Sequence, residues 1–470
     1  MAKKEVSRIQ DCVHGLMTFR GSENIVLDIL HTPEIQRLRK IRQLGLAHLI
    51  YPSSEHSRFI HSLGTSYLAI RFGEQLKTEC KNYLIKEVSV GDLEIRDFAV
   101  AALCHDLGHG PFSHAWEREI IGEDYNISDW CKSLGISDQA NFRDKNIKWH
   151  ELVTYAFLNW EDGALHNILE NHERGLSKRI SRFLIGEYHL KYLPKLISSD
   201  IDIDRADYIL RDSQLSGLKY GQYDLDWLIS SCSIGVKDNS EYVIGFNKKK
   251  SIRVVEHYLI ARRALYETLY FHKTVSCAEG MMGLFLKKLK HSLANEKLNT
   301  NSILDSKLHP ILDLIKGDPV SQESLLLLHD FSIWTLIEAI ANQQSNDDTL
   351  MSLANSLLKR ELFKMVPCDP DQIKKFLQTH DKSEIYETIE KYCNKGEGRF
   401  FLIHDFKQHK ALSQNAMEAS YFLNDDKVAE PLKDYLLFNN DYFKTLEVNR
   451  LFTINEAVHD VKKLIDQKTK

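Results

Sequence analysis

The chain is poor in the residues that interrupt helices: of 470 residues, 22 are glycine and 9 proline. All-β folds need a turn every few residues, and glycine and proline build most turns. Their scarcity argues against a sandwich or barrel and for long helices. No stretch approaches the roughly 18 consecutive apolar residues of a membrane span, and the start MAKKEVSRIQD lacks the apolar core of a signal peptide. No membrane partner is therefore expected, and the expected location is cytoplasmic. The eight cysteines form no C-x-x-C pair, so a zinc ribbon and a thioredoxin-type motif are excluded. Free, buried thiols are expected instead. Charge of one sign is also missing. With 61 Lys and Arg against 66 Asp and Glu the formal net charge is −5, so no global basic field exists to hold a polyanion by counterion release, and a dedicated nucleic-acid binder is disfavoured.

What is present is apolar residues, 43% of the chain, enough for sizeable cores in two or three domains. A hairpin-like start around Gly15 is expected, then a helical run from Val26 to Gly45 with Pro33 in a first turn. Apolar periodicity predicts helices at 59–80, 93–107, 150–160, 174–186, 200–215 and 224–231, a hairpin over 232–248 around Asp238-Asn239, and one long helix over 251–291. Residues 292–310 are polar and aperiodic and read as a linker. Beyond it, helices at 321–345 and 350–364 give way to short β-like runs at 399–406 and 447–454. The expectation is a mainly α protein: a helical core with a small β-hairpin over 1–291, then a smaller α+β region over 311–470 that could serve assembly or regulation.

Histidine is the rich residue, with 21 copies of the commonest metal ligand and proton shuttle. His-Asp dipeptides stand at 105/106, 329/330, 380/381, 404/405 and 459/460. The last four read as solvated polar residues near element ends. The first differs, because it closes the most apolar helix and runs into LGHGPFSH, gathering His105, Asp106, His109 and His114 at a glycine turn. Burying a carboxylate among imidazoles is costly unless a cation compensates it, which points to a metal. His61 lies in the apolar segment RFIHSLG, and IDIDRADYILRD places Asp204 and Tyr208 on one helical face with Asp212 a turn further on. His61, His105, Asp106 and Asp204 together offer four N and O ligands, a set suited to one divalent ion such as Mn, Fe, Mg, Co, Ni or Zn.

In order and spacing these segments resemble the HD-domain phosphohydrolases. The wording RFIHSLG, CHDLGHGPFSH, WHE and IDRADYILRD is similar to their deoxynucleoside triphosphate (dNTP) triphosphohydrolase branch, whose mammalian member joins an SAM and an HD domain. The resemblance covers about residues 1–290 and implies an enzyme that attacks the α-phosphorus of a dNTP with water, releasing deoxynucleoside and triphosphate. It makes His61, His105, Asp106 and Asp204 the metal ligands. It gives His114 the role of protonating the departing 5′-oxygen, with Glu117 as acidic partner, His150 as a second catalytic histidine and His109 on the α-phosphate. Arg58, Arg205, Arg262 and Lys273 fall on or beside phosphate-binding positions. Gln43 and Asp212 match partners of the sugar 3′-OH, and Tyr208 and Tyr270 match aromatics that leave little room for a 2′-OH. Gln36 and Arg39 match positions that bind a nucleotide activator.

One position departs from the pattern. Where guanine-activated members carry an aspartate before Thr-Pro, this chain has His31, and a neutral imidazole cannot offer the paired acceptors that guanine's donors require. Guanine-specific activation is therefore expected to be absent or altered. A homo-oligomer, dimer or tetramer, is expected from the family. Competing readings are a phosphodiesterase or nuclease on the same site, another nucleotide phosphohydrolase, and a non-catalytic nucleotide sensor. The NKKKSIR run at 247–253 reads as a solvated loop.

Overall fold

The computed structural model describes residues 6–469 apart from 84–88, 113, 123–126, 137–141, 143–146, 239–240, 296–297, 299–308, 318–320, 343–346, 411, 413–419 and 437–443; the side chains of 82–83, 114, 127 and 309 are also outside the description. The chain opens as the expected hairpin, β1 (Val6–Asp11) antiparallel to β2 (Gly15–Arg20). Gly15 leaves the turn at φ +66°, a left-handed conformation that favours glycine.

The run from Val26 to Gly45 is not one helix. It divides into α1 (Ile25–Ile29) and α2 (Pro33–Arg37), because Pro33 has no N–H to continue a ladder and instead takes the first helical position behind the Thr32 cap. The long buried helices follow as expected: α3 (Arg58–Tyr83) packs along α4 (Asp92–Cys104). Every residue of α4 from Ile95 to Cys104 is buried, so its end delivers His105 and Asp106 into the interior.

The remaining helices of the first part are α5 (His114–Trp116), α6 (Ile127–Ser133), α7 (Trp149–Asn159), α8 (Ala164–His172), α9 (Leu176–Leu184), α10 (Ile203–Ser216) and α11 (Leu225–Ser231). The carboxylates of Asp202 and Asp224 cap α10 and α11 by accepting from the backbone N–H of Arg205 and Trp227. Strands β3 (Cys232–Lys237) and β4 (Glu241–Asn247) form the second expected hairpin; Asn239 of its turn lies outside the described residues.

The expected helix over 251–291 is interrupted. It consists of α12 (Lys248–Leu265), a π-helical turn at Tyr266–Tyr270, and α13 (Lys273–Ala294). The NKKKSIR run is no loop but the start of α12, capped by Asn247, with Lys248 paired to Glu430 and Lys249 to Asp425.

The C-terminal part is α+β as expected. Its strands are β5 (Lys364–Met365), β6 (Leu402–His409), β7 (Tyr421–Leu423), β8 (Ala429–Pro431) and β9 (Leu446–Thr453). They join two sheets, β5-β9-β6 and β3-β4-β7-β8. In the second, β7 runs parallel to β4, so the C-terminal part adds strands to the hairpin of the first part, and one apolar cluster extends through both. The predicted helix 321–345 breaks at Leu328-His329 into Gln322–Leu327 and Asp330–Ala341.

Two later His-Asp copies are not solvated. Asp330 is fully buried and Asp405 nearly so; Asp330 accepts the N–H of Arg42 and of Phe112. All eight cysteines are free, but Cys12 is exposed. Among the described residues no helix is long and apolar enough to cross a membrane.

Candidate metal centre and its cavity

Three elements converge on one point: the first turn of α3, the turn after α4, and the first turn of α10. The ligand atoms of His61, His105 and Asp204 all lie within 4.8 Å of one another. His61 directs Nδ1 away, to Asp207 Oδ2 at 2.8 Å, and His105 directs Nδ1 to the carbonyl of Ala102 at 2.7 Å. In both rings the hydrogen is thereby drawn to the outer nitrogen and the Nε2 lone pair turned inward.

Those inward Nε2 atoms are buried without a hydrogen-bond partner. They stand 3.0 Å and 3.5 Å from Asp204 Oδ1. A carboxylate set between two buried imidazole nitrogens calls for positive charge at that point, carried by protons on the rings or by a metal cation. The electrostatics agree. Burial alone would lower the His61 pKa, yet the carboxylates of Asp204 and Asp207 push it up to about 10. Asp204 is likewise held well below the ordinary carboxylate range, the two imidazoles outweighing its burial. The donor set fits one divalent ion.

Asp106 stands beside this trio, 3.4 Å from His105 Nε2 and 3.8 Å from His61 Nε2. Its Oδ2 is bonded to Arg58.

A second cluster adjoins the first. His109 Nε2 lies 3.3 Å from Asp106 Oδ1, and its ring stacks on that of His150. His150 Nδ1 donates to Glu117 Oε1 at 2.7 Å, with His109 Nδ1 at 3.5 Å from the same oxygen. The close approach depends on Gly108, where a Cβ would fall 1.9 Å from the carbonyl of His150. Buried Arg37 holds the turn from below, donating to the carbonyls of Leu107, His109 and Leu328. His114 sits in α5, and its side chain lies outside the described residues.

Arg58 connects the metal cluster to a cavity of about 390 Å³, lined also by Gln43, Tyr208, Asp212, Tyr266 and Tyr270. Gln43 Oε1 is buried there without a partner. Asp212 accepts from Tyr270 Oη at 2.6 Å and lies 2.8 Å from His56 Nε2. Tyr208 meets Tyr270 edge to face, 6.1 Å between ring centroids.

The expected phosphate-binding cations divide. Arg58 is in the cavity, and Arg262 is buried close enough to Tyr208 for each to act on the other's charge. Arg205 is turned back to its own helix start, bonded to Asp202 and the carbonyl of Ser199. Lys273 lies elsewhere: it lines a different cavity with Arg360 and Lys364, because the chain breaks after Tyr270 and α13 starts afresh behind the His272 cap. Gln36 and Arg39 are bonded to each other at the surface, and His31 beside them is exposed.

The structure adds His14, Asp207, Arg211, His56 and Arg37 to these residues, and Lys407, which reaches the cavity from β6. Asp207 and Arg211 were readable as an i, i+4 ion pair inside IDRADYILRD. His56, Arg37 and Lys407 carried no local signal.

A model of the HD domain family matches residues 58–212, the span from the first turn of α3 to Asp212. The chain is 33% identical to protein MJ1154 of Methanocaldococcus jannaschii over 58% of its own length and 48% of that protein's. It is 30% identical to the deoxynucleoside triphosphate triphosphohydrolase SAMHD1 homolog of Dictyostelium discoideum, over 46% of this chain and 38% of that one. It thus spans less than half the length of these two relatives. A crystal structure of a phosphohydrolase from Bacteroides thetaiotaomicron superposes with TM-score 0.72 at 23% identity, covering 96% of this chain and all of that one, a likeness of fold.

Proposed function

The chain carries an HD domain and is a member of the HD-domain phosphohydrolase superfamily, and from that premise we propose that it hydrolyses dNTPs at the α-phosphorus, releasing deoxynucleoside and intact triphosphate. The observation that carries this reading is the sharing of Arg58: one guanidinium binds Asp106 at the metal cluster and lines the tyrosine-walled cavity. A phosphate bound there lies between a cation site and a pocket of nucleoside size.

A divalent ion held by His61, His105 and Asp204, with Asp106 beside it, would polarise a phosphoryl oxygen and lower the pKa of a water. The side chains do the rest. Arg58 offers its guanidinium to the phosphate. His150, its Nδ1 committed to Glu117, keeps Nε2 to exchange a proton, and His114 is the donor to the leaving 5′-oxygen. Gln43 Oε1 is free to accept from the sugar 3′-OH, and Asp212 retains lone pairs for the same group. The rings of Tyr208 and Tyr270 crowd the place a 2′-OH would occupy. Eight free thiols agree with a reducing, cytoplasmic setting, and assembly as a dimer or tetramer is part of the proposal.

The test is chromatography of each dNTP and NTP after incubation with Mn²⁺, Fe²⁺, Mg²⁺, Co²⁺, Ni²⁺ or Zn²⁺. Deoxynucleoside and triphosphate appearing together support the proposal. Monophosphate with pyrophosphate would place the cut elsewhere, and turnover of cyclic nucleotides or nucleic-acid ends alone would make the site a phosphodiesterase. No turnover would leave a sensor. Activation specific to GTP or dGTP is expected to be absent or altered, because His31 supplies no paired acceptors, and strong guanine-specific activation would overturn that expectation.

A further inference from the structure

Asp207 does not line the tyrosine-walled cavity, yet among the described residues it is the most heavily bonded carboxylate near the metal centre. It is fully buried. Its Oδ2 accepts from His61 Nδ1 and from Arg211 Nε, each at 2.8 Å. Its Oδ1 pairs with His14 Nε2 at 2.6 Å and accepts from Arg211 Nη2 at 2.8 Å. Arg211 continues to Asp11, with Nη1 2.9 Å from Oδ2. Asp11 then closes the hairpin turn that presents His14, accepting the backbone N–H of Val13 and of His14 at 2.9 Å each.

The circuit therefore begins and ends in the β1–β2 turn and passes through the back of His61. It is tightly fitted: a Cβ at Gly64 would fall 2.0 Å from Asp207 Oδ1 and 2.5 Å from Arg211 Nη2. It is also unbalanced. Two carboxylates face one guanidinium, and the surplus negative charge rests where the imidazoles of His14 and His61 approach it. A carboxylate behind a metal-binding histidine fixes its tautomer and ring orientation and raises its basicity. Here that carboxylate is itself oriented by a side chain from a separate hairpin.

We propose that the N-terminal hairpin is a working part of the metal centre: His14 acts through Asp207 as a positioning residue for His61, so that docking of residues 6–20 and metal affinity are linked. The inference rests on His61 being a metal ligand. Linkage makes the effect reciprocal, so metal bound at His61 must steady the hairpin by the same free energy with which the docked hairpin tightens the metal.

The experiment uses the full chain, stripped of metal and titrated with Mn²⁺, free Mn²⁺ being read by electron paramagnetic resonance. Hydrogen exchange of residues 6–20 is followed in parallel. His14→Phe keeps a ring but loses the donor, and Mn²⁺ affinity is expected to fall about 10- to 100-fold. His14→Gln places an N–H near the position of Nε2, and affinity is expected to stay within about threefold of wild type. Mn²⁺ is expected to slow exchange in residues 6–20 of the wild type, an observation that survives should His14→Phe fail to fold. Wild-type affinity in a folded His14→Phe variant, equal losses in both variants, or hairpin exchange indifferent to Mn²⁺ would each overturn the inference while leaving the metal site standing. A wild-type chain with no more affinity for Mn²⁺ than Asp204→Ala would overturn the metal reading, and this inference with it.

Discussion

The imidazoles of His109 and His150 lie face to face, 3.9 Å between centroids and 20° from parallel, over a single carboxylate oxygen of Glu117. Two stacked imidazolium ions would repel, and one carboxylate compensates one of them. Burial and the neighbouring His109 push the His150 pKa down. Glu117 is held well below its ordinary range, the hydrogen bonds from His109 and His150 outweighing burial. Glu117 therefore stays ionised and fixes a proton on His150 Nδ1, leaving the outer edge of the stacked pair to exchange one.

Glu117→Gln keeps the size of the side chain and removes the anion. The expected outcome is a kcat about 100-fold lower, with Mn²⁺ affinity near wild type where the ion sits on His61, His105 and Asp204; His109, Glu117 and His150 form a second group able to hold an ion, and a lost Mn²⁺ in this variant would assign one to it. Steady-state kinetics and Mn²⁺ titration on the same preparation check it. An unchanged kcat would remove Glu117 from the proton path.

Arg37 is fully buried at the guanidinium and its pKa is pushed down to about 9 by that burial, so it remains charged at neutral pH. Its three donors serve three buried carbonyls on the turn that carries His109 and on Leu328. Arg37→Met retains most of the apolar stem and strands those carbonyls. A loss of about 3 kcal/mol or more is expected in urea unfolding, together with reduced turnover as the turn loosens. A loss below about 1 kcal/mol would show that the carbonyls find other donors.

Much of this site is legible in the sequence. The buried α4 and its glycine-rich exit announced where His105, Asp106 and His109 would gather, because an apolar helix must end somewhere and its last residues are carried inside with it. His61 and Asp204 stand out only in company with His105 and Asp106: alone, a histidine in an apolar helix reads as a packed core residue and an aspartate at a helix start as a cap. What escaped was set by packing between distant segments. Lys273 follows Tyr270 by three residues, and unbroken helical phase would have brought it toward the cavity; the π-helical turn and the break at Phe271-His272 turn it away. His14 and Asp207 are 193 residues apart, and no local pattern joins them. The buried Asp330 was missed for the same reason: its partners are the backbone N–H groups of Arg42 and Phe112, which leave no mark in composition.

His329 gives a pH prediction whose sign can be worked out. Its ring caps the helix Asp330–Ala341, Nδ1 accepting from Ser332 N–H. Burial, reinforced by Lys40 and Arg37, pushes its pKa down to about 4, against about 6.5 in the unfolded chain. A depressed folded pKa means that the neutral form is the one the fold accepts. The contribution is therefore complete above pH 6.5 and is lost as pH falls toward 4. His329→Asn keeps a cap without a titrating ring. Compared at pH 7 and pH 4.5, the wild type is expected to lose about 2 kcal/mol more than the variant, read as the difference in urea midpoints. Parallel pH curves for the two chains would show that protonation at this position is not felt.

Under the proposed dNTP reading, Tyr270 would separate a steric from a polar part of sugar recognition. Its ring walls the cavity, and its hydroxyl holds Asp212 Oδ2 at 2.6 Å. Tyr270→Phe keeps the wall and releases one oxygen of Asp212, while Tyr270→Ala removes both. If the ring excludes a 2′-OH by volume, the alanine variant should narrow the preference for dNTP over NTP about tenfold or more in kcat/KM, and the phenylalanine variant should leave it within about threefold while raising KM for both. The two outcomes differ because a missing wall admits an extra oxygen, whereas a freed carboxylate only loosens the 3′-OH that both substrates share. Competition between dATP and ATP in one vessel reads the ratio directly. A preference that survives Tyr270→Ala would mean that discrimination rests with Tyr208 or with Asp212 itself, and a preference lost already in Tyr270→Phe would assign it to the orientation of that carboxylate.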